Sequence, residues 1–150
     1  MLEIYVDADA CPVKDEIVRV AERHQISVQL VSNSGMFGFS RHPLVTQTVV
    51  ACGSDIADDW IAERIGPGDI VVTQDIPLAD RCIKKNARAL RPNGKQLDQA
   101  SIGMALATRN LMTDLRSTGE ITGGPPTFTK SDRSKFLQAL ETIIQAIKNT

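Results

Sequence analysis

Short apolar runs rich in Val and Ile alternate along this chain with stretches whose apolar residues recur at helical spacing. Strands and helices that alternate in this way are joined by right-handed crossovers into a parallel sheet with helices on its faces. The strand candidates are Leu2–Ala8, Ile26–Ser32, Leu44–Ala51, Asp69–Thr73 and Ala87–Leu90. The first is apolar nearly throughout, as expected of a strand buried on both sides. Helices are predicted over Pro12–His24, where Val13, Ile17, Val20 and Ala21 share a face, and over Ser54–Ile65, which stops at Gly66-Pro67-Gly68. Three more are predicted over Ile76–Asn86, Leu97–Leu115 and Asp132–Lys148. The expectation is one α/β domain over residues 1–150: a five-stranded, mainly parallel sheet in the order 3-2-1-4-5, with two C-terminal helices packing back onto it. Gly- and Pro-containing stretches at Asn33–Pro43 and Thr118–Thr129 read as loops. Met36, Phe37 and Phe39 in the first suit a satellite apolar cluster; a lid, a dimer contact or a base-stacking surface are the alternatives.

Composition narrows the partners. A net charge of −1 predicts no nucleic-acid or membrane partner globally, so any polyanion site must be a local basic patch. Cys11, Cys52 and Cys82 are odd in number and lack a C-x-x-C spacing, which argues against a disulfide framework or structural zinc and suits a reducing cytoplasm. A strand opening at residue 2 leaves no room for a charged-then-apolar leader, and no apolar run is long enough to span a bilayer.

Carboxylates gather at the expected strand ends. Asp7 and Asp9 close the first strand, two residues apart, so continued alternation points both to one side. Asp75 follows the fourth strand. In a 3-2-1-4-5 sheet strands one and four are neighbours at the switch point, where α/β folds bind ligands. Asp7, Asp9 and Asp75 would then share a crevice. Asp55 and Asp58 lie one turn apart on a helix and extend the candidate set; they also read as a cap and a first-turn acid. Oxygen-only ligands suit Mg²⁺ or Mn²⁺, whereas His24 and His42 are isolated and give zinc or iron no partner.

Three segments, Val6-Asp-Ala-Asp-Ala-Cys-Pro-Val-Lys14, Asp55-x-x-Asp58-x-x-Ile61 and Gly68-Asp-Ile-Val-Val-Thr-Gln-Asp-Ile-Pro-Leu-Ala79, resemble the YaiI/YqxD family of bacterial proteins. Thr122-Gly-Gly-Pro125, Asp132-Arg133 and Phe136 extend the resemblance over nearly the whole chain. That family is placed with PIN-like domains, whose better known members are metal-dependent ribonucleases. The resemblance implies a three-layer PIN-like fold, with Asp7 and Asp75 matching the PIN acids, Asp9 beside the first, and Asp55 or Asp58 standing in for a mid-chain acid. PIN domains usually carry a Glu there, and this chain has paired Asp residues instead.

The expected activity is metal-dependent phosphodiester hydrolysis of RNA or single-stranded nucleic acid. Asp7, Asp9 and Asp75 are the catalytic candidates; the same three with Asp58 and Asp55 are the metal ligands. Arg81, Lys84, Lys85, Arg88, Arg91 and Lys95 form a stretch without an acid, and Lys130, Arg133 and Lys135 form a second cluster. Lys14, Asn33, Arg81 and Arg133 are the expected substrate contacts. Two alternatives remain: a haloacid-dehalogenase-like phosphatase with Asp7 as nucleophile and Asp9 as acid, and a non-catalytic metal-stabilised RNA- or protein-binding module. Phosphate-loop and dinucleotide fingerprints are absent.

Overall fold

The computed structural model describes residues 2–7, 13–32, 43–50, 56–104, 107 and 129–148. Among them six strands form one sheet in the order β3-β2-β1-β4-β5-β6. The strands are β1 Glu3–Asp7, β2 Ser27–Ser32, β3 Val45–Val49, β4 Ile70–Val72, β5 Arg88–Leu90 and β6 Gln96–Leu97. The first five are parallel neighbours, so the expected order holds. β1 sits at the centre, with Asp7 opposite Val31 of β2 and Val6 opposite Val72 of β4.

β6 is the departure. Leu97 was expected to open a long helix, yet it pairs antiparallel with Ala89 of β5. The cause is a hairpin turn at Arg91–Lys95. Gly94 takes a positive φ of 90°, its N–H donates to the Arg91 carbonyl, and Asn93 Oδ1 accepts from Lys95 N. An Asn-Gly pair between apolar residues is a strong hairpin signal that outranks helical periodicity beyond it. The helix (α4) begins only after Asp98, whose carboxylate accepts from Ser101 N at 2.9 Å, and residues 99–104 are helical. The remainder of that predicted helix, apart from residue 107, and the predicted Thr118–Thr129 loop, apart from residue 129, lie outside the described residues.

The other helices are α1 Lys14–His24, α2 Ile56–Arg64, α3 Ile76–Ile83 and α5 Lys130–Lys148. Helix α5 starts two residues earlier than periodicity predicts, because Thr129 and Asp132 cap it reciprocally: Asp132 N donates to Thr129 Oγ1 and Thr129 N to Asp132 Oδ2.

Alternation in β1 sends Ile4 and Val6 to one side and Tyr5 to the other. The first side packs on Ile17, Val20 and Ala21 of α1 and on Phe136, Leu140 and Ile144 of α5. The second packs on Ile61 of α2, Leu78 and Cys82 of α3 and Ile102 of α4. The two C-terminal helices therefore return to opposite faces. Helices α1 and α5 run parallel: Glu16 meets Arg133 at one end, and His24 meets Glu141 at the other. The first turns of both helices consequently lie at the carboxyl edge of the sheet. Among the described residues no helix is long and apolar enough to cross a membrane.

Candidate active site at the carboxyl edge

Asp7 is the last residue of β1, on the same side of the sheet as Tyr5. Register carries the next residue of each strand into line, setting Asp7 beside Thr73 just past β4. Thr73 Oγ1 donates to Asp7 Oδ2 at 3.1 Å. The same oxygen accepts from Asp75 N at 3.0 Å. One hydroxyl, on a residue only 2% exposed, therefore ties the ends of the two central strands together.

Asp75 has extended backbone (φ −83°, ψ 109°) and caps α3, its Oδ1 accepting from Leu78 N at 3.0 Å. Pro77 sits in the first turn, where its missing N–H leaves no donor unsatisfied. Asp75 Oδ2 makes no hydrogen bond among the described residues. The cap therefore occupies one oxygen of Asp75 and leaves the other free of it.

The remaining predicted residues separate. Asp9, Asp55 and Asn33 lie outside the described residues. Asp58 is half-buried on α2, where its charge acts on Arg81 and Cys82 of α3. Among the described residues no group of three or more His, Cys, Asp or Glu side chains converges on a point that could hold a metal ion, so Asp58 does not join Asp7 and Asp75 in one cluster. Arg81 bonds Asp59 Oδ1 at 2.8 Å, Lys84 pairs with Asp80 at 3.0 Å, and Lys85 donates to the Ala62 carbonyl. Lys14 opens α1 and is half-buried. Arg133 Nη1 donates to Glu16 Oε1 at 3.0 Å; Glu16 Oε2 is buried without a hydrogen-bond partner among the described residues. Burial pushes the Cys82 thiol up to about 12, which makes it an inert core residue.

Thr73 is the participant that sequence reading passed over. Its signal was available in principle, because two parallel strands in register that end in Asp7 and Thr73 must set those side chains side by side.

The family model described as "Uncharacterized BCR, YaiI/YqxD family" matches residues 5–146, an interval that contains every residue of this edge. The chain belongs to the YaiI/YqxD family. A relative from Rhodopseudomonas palustris strain CGA009, named a UPF0178 protein, is 61% identical over 147 residues, covering 98% of this chain and 92% of the relative. Another UPF0178 protein, from Parvibaculum lavamentivorans, is 62% identical over 148 residues, covering 99% and 97%. No solved structure matches the chain. The YaiI/YqxD resemblance read from the sequence is thus shown across the full fold, and the names of these relatives state no activity.

Proposed function

We propose that this YaiI/YqxD protein is a divalent-metal-dependent phosphodiesterase acting on RNA or another single-stranded nucleic acid. The observation that carries the reading is the Thr73 hydroxyl held between the Asp7 carboxylate and the Asp75 backbone N–H at the switch point of the sheet. Carboxylates gathered at one edge of a sheet repel unless a cation, a shared proton or hydrogen-bond donors relieve them. Thr73 offers one proton, and it goes to Asp7.

Two carboxylates with only oxygen donors fit Mg²⁺ or Mn²⁺, which keep several waters and need only one or two protein carboxylates beside substrate phosphates. Asp7 and Asp75 would hold such an ion, and Asp9 would add a third carboxylate. Bound there, the ion supplies charge stabilisation at a phosphoryl group and a more acidic water. The chain's own residues do the positioning. Thr73 fixes the strand ends, the α3 cap holds Asp75, and Lys14 and Arg133 stand where α1 and α5 begin to receive phosphate oxygens.

The test is thermal melting with and without Mn²⁺, beside cleavage of a labelled single-stranded RNA, for wild type and Asp7→Asn. Mn²⁺ is expected to raise the melting temperature and support cleavage in wild type only, since a ligand of the folded state must stabilise it. No shift and no cleavage in wild type overturns the reading. Trapping by beryllium fluoride with Mg²⁺ would indicate an aspartyl-phosphate instead and would also overturn it.

A further inference from the structure

We infer that the β5–β6 turn and the opening turns of α5 form one cationic platform that takes the phosphodiester backbone of a single-stranded nucleic acid beside the acids. The inference rests on the function proposed above and adds where the strand lies.

The platform begins at the acidic centre itself. Thr73 N, from the residue that bridges Asp7 and Asp75, donates to the Leu90 carbonyl at 3.2 Å. Arg91 is the next residue, so the turn leaves the sheet from the strand beside β4, a strand spacing of about 4.8 Å. The turn is then fixed on α5. A Cβ built on Gly94 would lie 2.7 Å from the Lys135 carbonyl carbon and 2.8 Å from its oxygen. Only a residue without a side chain permits that approach, and φ of 90° demands the same. Arg91 and Lys95 of the turn are therefore seated against the helix that carries Lys130, Arg133 and Lys135. At the far side of α5, the Arg133–Glu16 pair joins the helix to α1.

Pairing separates these cations from the others in the same acid-free stretch. Lys84 is held by Asp80 and Lys85 by the Ala62 carbonyl, while Arg88 stands at the opposite, amino end of β5. Arg91, Lys95, Lys130 and Lys135 have no carboxylate partner among the described residues, and Lys95, Lys130 and Lys135 are exposed. Unpaired cations grouped on a fixed turn and helix, in a chain of net charge −1, are a local polyanion footprint. The turn joins β5 to β6, the strands next outward from β4, so a strand with one phosphate at the acids has its next phosphates over the platform.

The test compares two triple variants that each remove three positive charges. One is Arg91→Ala/Lys95→Ala/Lys135→Ala and the other Lys84→Ala/Lys85→Ala/Arg88→Ala. Binding of fluorescein-labelled oligouridylate is measured by anisotropy in EDTA across a salt series, which removes cleavage from the readout. The platform variant is expected to lose about tenfold or more in affinity and to lower the salt slope by about 2, as three single-strand phosphate contacts require. The other triple should change affinity less than about twofold. Equal losses, no loss in either, or no binding by wild type at low salt overturns the inference. If the platform triple melts early, Lys95→Glu at its exposed turn position carries the same comparison. Wild type that binds on the platform but cleaves nothing with Mn²⁺ would sink the hydrolase reading and leave this one standing.

Discussion

At its amino end the β1–β4 pair holds Glu3 and Asp69, and at its carboxyl end Asp7 and Asp75. The four carboxylates are used differently. Asp69, 8% exposed, spends both oxygens on backbone: Oδ1 accepts from Glu3 N at 3.1 Å and Oδ2 from Gly66 N at 2.9 Å. Glu3 Oε2 accepts the Tyr5 hydroxyl at 3.0 Å, and the Arg64 guanidinium lies 4.2 Å from the centre of the Trp60 ring beside it. Burial and the Glu3 carboxylate together push the Tyr5 phenol above its usual range. This end is a lock, with its acids matched to donors inside the protein. At the carboxyl end the Thr73 hydroxyl bonds the Asp7 carboxylate and the Asp75 backbone N–H, and Asp75 Oδ2 is unbonded among the described residues. Strand polarity explains the contrast. Helices leave from the carboxyl ends of parallel strands, so their first turns and the connecting loops, where ligands bind, gather on that edge.

The largest effect that would break this comparison is functional. Asp7→Asn is expected to reduce Mn²⁺-dependent cleavage by about a hundredfold or more, the scale of losing a principal charge-stabilising group. Its melting temperature without metal should stay close to wild type. Asp69→Ala should do the reverse. It orphans two backbone N–H donors, at about 1–3 kcal/mol each, and leaves cleavage per folded molecule unchanged. Denaturant melts beside cleavage assays check both. If Asp69→Ala removes activity without destabilising, the two ends are not divided as described.

A smaller effect belongs to Thr73. Thr73→Val keeps the shape and removes the hydroxyl, taking the Thr73 hydrogen bond from Asp7 Oδ2 and the acceptor from Asp75 N. The expected cost is about 1–3 kcal/mol of stability, with about ten- to hundredfold weaker Mn²⁺ binding, because partners of metal ligands orient them. Thr73→Ser should restore both. A Val variant that binds Mn²⁺ like wild type removes Thr73 from the site.

Thr73 also marks how far the sequence could be read. β-Branched runs and helical periodicity locate the strands and helices, and the order expected of such an α/β sheet sets the ends of strands one and four, with Asp7 and Asp75, side by side. Residue-level partners were harder. Thr73 looks like an ordinary strand residue until the register of β1 against β4 is known, and Arg81 looks like a substrate cation until Asp59 of α2 is set against it. β6 was lost for a different reason. The apolar residues from Leu97 onward continue at helical spacing, and that longer signal masked the Asn93-Gly94 turn before them. The close approach of Gly94 to Lys135 joins residues 41 apart in sequence, and no local pattern encodes it.

The smallest effect concerns the lock end and pH. Burial raises the Asp69 carboxyl above the ordinary carboxylate value, outweighing the two backbone N–H groups that lower it. A carboxyl raised in the folded state holds a proton that the unfolded chain has already released. Its contribution to stability is therefore fully present below the ordinary carboxylate value, about 3.9. It is lost as pH rises through the raised folded value. Asp69→Asn cannot titrate, so the stability difference between wild type and this variant should shift in favour of the variant as pH climbs across that window. Melting temperatures measured from below the ordinary value, about 3.9, upward would show it. A difference moving the opposite way would mean that the Glu3 and Gly66 N–H groups dominate over burial. Asp69 would then be a stabilised anion, and the two ends of the strand pair would differ in partners but not in electrostatic character.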